Sequence, residues 1–209
     1  MANTIENLRG TGVSKLDQLQ LTAGLQRTYL LQEDTTEFPI DLGSAKVWDS
    51  GQPLPSTAAS DDLGYVAGTF GTANNYIAGR DCKTSGGAIT GYARLFVVIP
   101  ENYVAGQPVT IRAAAGMLTT VSDTTATIDF EAYLLGRTTL KSGSDLVTTI
   151  ATTINSLTFA DKDFSLTATA LSPGDVLDVR VTLTVNDGAT GTVVRPAIAA
   201  IDLLCSVKG

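Results

Sequence analysis

The chain has 209 residues, a formal net charge of −7 and no histidine. The acidic balance argues against a nucleic-acid partner, because clustered Lys and Arg are needed to replace the counterions of nucleic acid. The missing histidine removes the usual general base, the usual metal ligand and any Ser-His-Asp or Cys-His arrangement. Charged residues make up only 17% of the chain. So few charges indicate contact with other subunits, and a solvated Thr-rich β surface is the alternative.

Residues 1–60 are predicted to form an extended N-terminal arm with short strands or one short helix. The helix is expected near Lys15 to Leu21, where Ser14 and Asp17 are suited to capping. Pro-rich residues 53–55 favour extended backbone. Such an arm cannot bury its apolar residues alone, so it lies on its own sandwich or on a neighbour; a partly disordered leader is the alternative. The predicted partner-binding anchors of the arm are Phe38, Ile40, Val47 and Trp48.

The first residues are polar and lack the apolar core of a signal peptide. No stretch approaches the roughly 20 apolar residues that span a bilayer, so no membrane partner is predicted. We expect a protein that is made in a cytoplasm and leaves it, if at all, by a route other than secretion. Cys82 and Cys205 are therefore expected to be small buried hydrophobes and not a disulfide.

Residues 61–209 are predicted to form one β-sandwich domain. Residues 127–134 and 176–185 alternate apolar and polar side chains, so each strand buries one face and exposes the other. Turn signals separate the strands, as at 172–175 and 186–188. Strands are predicted at 63–70, 76–79, 92–99, 109–117, 126–135, 146–154, 164–169, 176–186 and 197–207. This pattern predicts an all-β fold, an antiparallel jelly-roll or other Greek-key β-sandwich with an extended N-terminal arm.

One pair of carboxylates is a candidate for acid catalysis. Asp129 and Glu131 share the wet face of a predicted strand, at the ~6–7 Å spacing of a two-residue step. A glycosidase can use two acids across a sugar cleft. Solvated charges that keep a strand face soluble are the favoured interpretation. No catalytic residue is predicted, and the protein is not expected to be an enzyme.

The sequence offers candidate residues for a metal site and for a sugar site. Three loop clusters offer oxygen ligands of the kind that calcium takes. They are Asp61-Asp62, Asp161-Lys162-Asp163 and Asn186-Asp187-Gly188. None has EF-hand spacing, Lys162 opposes a cation, and turn chemistry accounts for 186–188, so no metal or other cofactor is predicted. Aromatic residues that could form a sugar platform are Trp48, Tyr65, Phe70, Tyr76, Tyr92, Phe96, Tyr103 and Tyr133. Trp48 is better explained as an arm anchor in a hydrophobic socket.

Two segments carry a resemblance to a known family. They are Phe96-Val97-Val98-Ile99-Pro100-Glu101-Asn102-Tyr103-Val104-Ala105-Gly106, followed by Val109-Thr110-Ile111-Arg112, and Leu171-Ser172-Pro173-Gly174-Asp175-Val176-Leu177-Asp178-Val179-Arg180-Val181. With the acidic strand between them, they resemble β-sandwich virion proteins of tailed phages, including jelly-roll head decoration (cement) proteins, over roughly residues 92–207. The resemblance implies a non-enzymatic protein, usually a trimer, on the outside of a capsid. The implied partners are the major capsid protein and further copies of this chain as a homotrimer, with synthesis in the host cytoplasm.

Other functions stay open at this point. A single jelly-roll shell protein, a tail protein or a head-fibre component is one alternative, and a shell protein would assemble by itself into closed particles. A carbohydrate-binding module or receptor-binding tip is another, and it would need an exposed aromatic patch or calcium-bearing loops. An acid-pair glycosidase that uses Asp129 and Glu131 comes last.

Overall fold

The computed structural model describes residues 33–83, 86–136, 143–188 and 191–208. These residues form ten β-strands: β1 Glu33–Pro39, β2 Gly64–Val66, β3 Tyr76–Ala78, β4 Gly87–Val98, β5 Val109–Met117, β6 Thr125–Leu134, β7 Thr152–Thr153, β8 Ala160–Leu166, β9 Val176–Asp187 and β10 Pro196–Lys208. Two short 3₁₀ helices, Leu42–Ser44 and Ala168–Ala170, connect strands. None of the helices in these ranges has the length and apolar character needed to cross a membrane. The helix predicted near Lys15 to Leu21 lies outside the described residues.

The strands form two antiparallel sheets. The first has the order β2-β3-β10-β5-β8, with β1 also paired to β10, and the second has the order β4-β9-β6-β7. Strands β3 to β10 therefore follow the jelly-roll order, with β3-β10-β5-β8 in one layer and β4-β9-β6-β7 in the other. The predicted fold class, an antiparallel jelly-roll sandwich, is confirmed.

The core lies between the two sheets and is built by the two-residue period of the long strands. Along β9, every second side chain from Leu177 to Asp187 is buried, and the intervening ones are half-buried. A contact between aromatic rings across the core joins Phe130 of β6 to Phe164 of β8, with ring centroids 4.8 Å apart. Both rings are fully buried, so this pair ties one sheet to the other.

The described part of the predicted arm lies on its own sandwich. Strand β1 pairs with β10 along its whole length, from Glu33 opposite Lys208 to Pro39 opposite Asp202. Because β5 pairs with the opposite edge of β10, β1 and β3 lie along the same edge. The chain then reaches the free edge of β4, where the backbones of Lys46 and Arg94 exchange hydrogen bonds of 2.8 and 2.9 Å. The arm thus covers exposed strand edges, which otherwise invite pairing with other chains.

The strand predicted at 146–154 is wrong over most of its length. The chain first pairs with β8, where Thr148 N donates to Ser165 O at 2.9 Å. It then pairs with β6, where Thr152 lies opposite Ile128. These two partners belong to different sheets, so the segment crosses between layers and only the two residues of β7 remain as a strand.

Three other predicted boundaries need correction. Strand β8 covers 160–166 and not 164–169, because its charged first half pairs with β5, where Asp163 lies opposite Arg112. Charged residues are typical of an edge strand, and the sequence analysis took them for a loop. The strand predicted at 63–70 ends at Val66, before a loop that contains Phe70. Strand β4 begins at Gly87, ahead of the predicted start at Tyr92.

Candidate functional site

An aromatic pair lies on the outer face of the second sheet. Tyr92 projects from β4, and Trp48 of the arm packs against it with ring centroids 5.2 Å apart and planes inclined by 53°. The indole Nε1 of Trp48 donates to Asp61 at 3.2 Å. Arg180, from the neighbouring β9, places its guanidinium carbon 5.1 Å from the Tyr92 ring centroid and 5.6 Å from that of Trp48. A cation therefore already interacts with both rings, which stabilises the docked arm.

Two ion pairs cross the same face. Arg94 of β4 and Arg180 of β9 are direct neighbours in the ladder, an arrangement in which like charges repel. Each guanidinium is neutralised by an acid: Arg180 binds Glu131 of β6, and Arg94 Nε donates to Asp178 Oδ1 at 2.6 Å. The hydrogen bond from Arg94 to Asp178 raises the pKa of Arg94. The polar groups of this face are therefore largely engaged with one another.

The candidate acid pair, Asp129 and Glu131, lies on this face, as predicted from the strand period. Glu131 is held by Arg180, and Asp129 accepts a hydrogen bond from Phe130 N at 3.0 Å. Burial raises the pKa of Asp129, and the charges of Glu131 and Asp145 raise it further. The two acids are neighbours on one strand and do not face each other across a cleft, as a glycosidase requires. That the protein is not an enzyme stays a prediction.

The raised pKa of Asp129 predicts that replacing this residue changes the stability in a pH-dependent way. An aspartate with a raised folded pKa contributes stability below its unfolded pKa, and that contribution is lost as the pH rises through the folded value. Asp129→Asn keeps the acceptor for Phe130 N but carries no charge, so we expect it to melt at a higher temperature than the wild type at pH 7. The difference should shrink as the pH falls toward 3.8, the ordinary value for an aspartate. Thermal unfolding across this pH range measures the effect, and a pH-independent difference would contradict it.

The four predicted arm anchors separate into two groups. Phe38 and Ile40 are half-buried and pack against the core. They line a shallow pocket of about 250 Å³ together with Phe96 and Val98 of β4. Val47 and Trp48 are also half-buried, and Trp48 contacts Tyr92. Binding of these four residues to a partner stays a prediction.

Apolar side chains that the sequence analysis did not single out for partner binding are more exposed than the anchors. Among the described residues, five large apolar side chains are at least 48% exposed: Phe70, Phe96, Val98, Ile150 and Leu157. Phe70 is fully exposed, at 104% of its reference area, and Ile150 reaches 83%. A signal for Phe70 was present in the sequence, because Gly68 and Gly71 flank it and indicate a turn.

The loop that carries Phe70 is held by its own hydrogen bonds. Gly68 N donates to Asn75 Oδ1 at 2.8 Å, which closes the base of the loop. The amides of Thr72 and Ala73 both donate to Thr69 O at 2.9 Å, and Gly71 adopts a left-handed φ of 77°. The loop therefore has a defined shape that presents Phe70 at its tip.

Gly68→Ala should open this loop without unfolding the sandwich. A Cβ at position 68 would lie 2.1 Å from Ala73 O, a backbone atom that cannot move without breaking the loop. We expect faster hydrogen exchange at the amides of Thr72 and Ala73, and a stability loss of about 1–3 kcal/mol. Gly87→Ala is the matched control, since a Cβ at Gly87 meets nothing within 4 Å. Unchanged exchange in Gly68→Ala would show that the loop is not built as described.

Two of the three loop clusters with oxygen ligands are engaged by side chains of the same chain, and the third, at 186–188, packs against Asp123. Asp61 accepts the Trp48 indole, and Asp163 binds Arg112 with Nε to Oδ1 at 2.7 Å. Across the described ranges, no three His, Cys, Asp or Glu side chains gather at a common point. The thiols of Cys82 and Cys205 are both buried, as predicted.

Comparison with known proteins gives structural likeness only. No family model matches the chain, and no curated protein does. The CBM22-1 xylan-binding domain of Paenibacillus barcinonensis Xyn10C is similar at 10% identity and a TM-score of 0.38, over 81% of this chain and 97% of that one. A CBM28 module specific for non-crystalline cellulose matches at 10% identity and 0.40, over 78% and 94%. A protein of infectious bursal disease virus strain Gt matches at 13% identity and 0.31, over 84% of this chain and 32% of that chain. Likenesses this weak carry no argument about function.

Proposed function

We propose that this protein is a non-enzymatic virion structural protein that decorates the exterior of a capsid as a homotrimer and binds its major capsid protein. The observation that carries the proposal is the set of exposed apolar side chains, headed by Phe70 at the tip of its loop. Two of them, Phe96 and Val98, lie together beside Phe38 and Ile40 of the arm, and contiguous exposed apolar surface marks sites of association. The resemblance of residues 92–207 to phage decoration proteins supplies the identity of the partner.

The physical basis of binding is burial of these side chains on the shell. Complete burial of one phenylalanine contributes about 1.5–3 kcal/mol. Because the loop around Phe70 is already closed by Asn75 and by Thr69 O, little conformational freedom is lost when it docks. In a trimer the same loop is presented three times, which multiplies the effective affinity.

Charge supports an exterior position. The net charge of −7 disfavours contact with packaged nucleic acid. Arg94, Arg112 and Arg180 are each engaged by a carboxylate of the same chain, so these cations are not displayed for phosphate binding.

Binding to the capsid would stabilise the capsid, because the binding and assembly equilibria are coupled. A protein that binds the assembled shell, and does not bind its dissociated subunits, shifts the assembly equilibrium toward the shell. No catalytic step is needed, and the stabilisation grows with the concentration of free protein.

The test is co-sedimentation of the purified chain with undecorated capsids, with light scattering of the free protein to measure its mass. The proposal expects saturable binding and a free trimer. An absence of binding at a large molar excess of the purified chain over capsid subunits would contradict it. Closed particles formed by the free protein would indicate a shell protein instead.

A carbohydrate-binding role is a second candidate, and Trp48 beside Tyr92 is the observation that favours it. Aromatic rings on a wet sheet face, flanked by polar groups such as Asp61 and Glu131, can hold a sugar. Against this, Arg180 lies over both rings. Retardation in gels that contain soluble polysaccharides would support this role if Trp48→Ala abolished it and Phe70→Ala did not.

A further inference from the structure

Two acidic side chains meet at the end of the sandwich where β9 finishes. Asp187 is the last residue of β9, and Asp123 lies in the loop between β5 and β6. Asp187 continues the inward-facing series of β9 and is only 2% exposed. The two segments bind each other reciprocally: Asp123 N donates to Asp187 Oδ1 at 2.9 Å, and Gly188 N donates to Asp123 Oδ1 at 2.8 Å.

One oxygen atom in this arrangement has no hydrogen-bond partner. Oδ2 of Asp187 is buried, and nothing in the described part of the chain donates to it. None of the ion pairs between described residues includes Asp123 or Asp187. A buried carboxylate oxygen without a donor or a cation is strongly unfavourable, so this site calls for a positive ligand or a proton.

The hydrogen bonds around the pair come mainly from backbone N–H groups. Both side chains accept backbone N–H groups, an arrangement that suits anions. The bonds from Gly188 N and Thr124 Oγ1 also lower the pKa of Asp123, so this group is ionised at neutral pH. The side chains of Asp123 and Asp187 also make a hydrogen-bonding contact with each other, and two carboxyl groups make that contact only around a shared proton or a cation.

We propose that Asp187 and Asp123 bind a hard divalent cation, Ca²⁺, which fastens the β5–β6 loop to the end of β9. Ca²⁺ accepts carboxylate, carbonyl and water oxygens in the irregular arrangement that loops provide, whereas Mg²⁺ requires a near-ideal octahedron. Two carboxylates are fewer acids than a dedicated three-acid cluster supplies, so backbone carbonyls and water complete the shell. This site is independent of the capsid-binding role.

The direct test is isothermal titration of the full chain with CaCl₂ after dialysis against a chelator. We expect one saturable site per chain and weaker binding of MgCl₂. No saturable heat with either salt, or heat only at concentrations at which any surface carboxylate binds, would overturn the proposal.

Variants distinguish a cation from a proton as the group that is bound between Asp123 and Asp187. Asp187→Asn should lower the Ca²⁺ affinity by about 100-fold or more, since losing even a residue that only supports a ligand costs roughly 10–100-fold. Asp34→Asn is the matched control, because it removes the same charge from an exposed position on β1. Ca²⁺ should raise the melting temperature of the wild type and of Asp34→Asn, and leave Asp187→Asn unchanged. If Asp187→Asn does not fold, titration of Asp123→Asn gives the same comparison. Equal Ca²⁺ responses in all variants would show that the ion does not bind at this pair. A stable Asp187→Asn together with no response in the wild type would favour a proton on the carboxyl.

Discussion

Replacing Phe130 with alanine is expected to lower the free energy of unfolding by about 3–5 kcal/mol. The Phe130 ring lies in the middle of β6 and packs 4.8 Å from that of Phe164 on β8, so it contributes to both layers of the sandwich. Its side chain is 1% exposed, and removing it leaves a cavity that rigid strands on both sides cannot close. Guanidinium denaturation, followed by the fluorescence of Trp48, measures the change, since the chain has a single tryptophan.

Phe70→Ala is the matched control for this prediction. The same side chain is removed, but from a position that is fully exposed, so the free energy of unfolding should change by no more than about 0.5 kcal/mol. Similar losses in the two variants would contradict the assignment of Phe130 to the core and of Phe70 to the surface.

Phe70→Ala should weaken capsid binding although it leaves the free energy of unfolding almost unchanged. Central apolar anchors of an interface contribute 2 kcal/mol or more, which corresponds to a loss of affinity of roughly 30-fold. Because Phe70 touches no core residue, this loss should appear with an unchanged denaturation curve. Sedimentation of capsids over a range of protein concentrations gives the affinity.

Two further substitutions at position 70 test the same prediction. Phe70→Leu keeps an apolar tip on the loop and should retain most of the affinity, whereas Phe70→Asp should abolish binding, since a charge would be buried without a partner. Wild-type affinity in both Phe70→Ala and Phe70→Asp would remove the loop from the interface. The exposed residues Ile150 and Leu157 would then be the next candidates.

The fold was largely predictable because its long strands carry a clean two-residue period. Strand β5 has the predicted bounds 109–117, and β6 and β9 agree within a residue. The failures lie where the period is absent or misleading. Residues 146–154 have apolar and polar side chains in pairs, without the two-residue period, and they cross between sheets. The first half of β8 is too charged to resemble a strand.

The candidate sites depend on contacts between residues far apart in sequence, which periodicity cannot predict. The period of β6 placed Asp129 and Glu131 on one face, but it did not show that Arg180 binds Glu131. Trp48 was predicted to be an anchor, and only the docking of the arm on β4 places Tyr92 beside it. Asp123 and Asp187 are separated by 64 positions. The exposure of Phe70 has a local cause, the flanking glycines, and could have been predicted.

Electron microscopy of undecorated capsids incubated with the purified chain tests the proposed role most directly. We predict added density at fixed positions of the lattice on the outside of the shell, with three copies per position and the 67–75 loop against the shell surface. Bare shells after incubation at saturating protein, or density without a fixed position, would contradict a decoration protein.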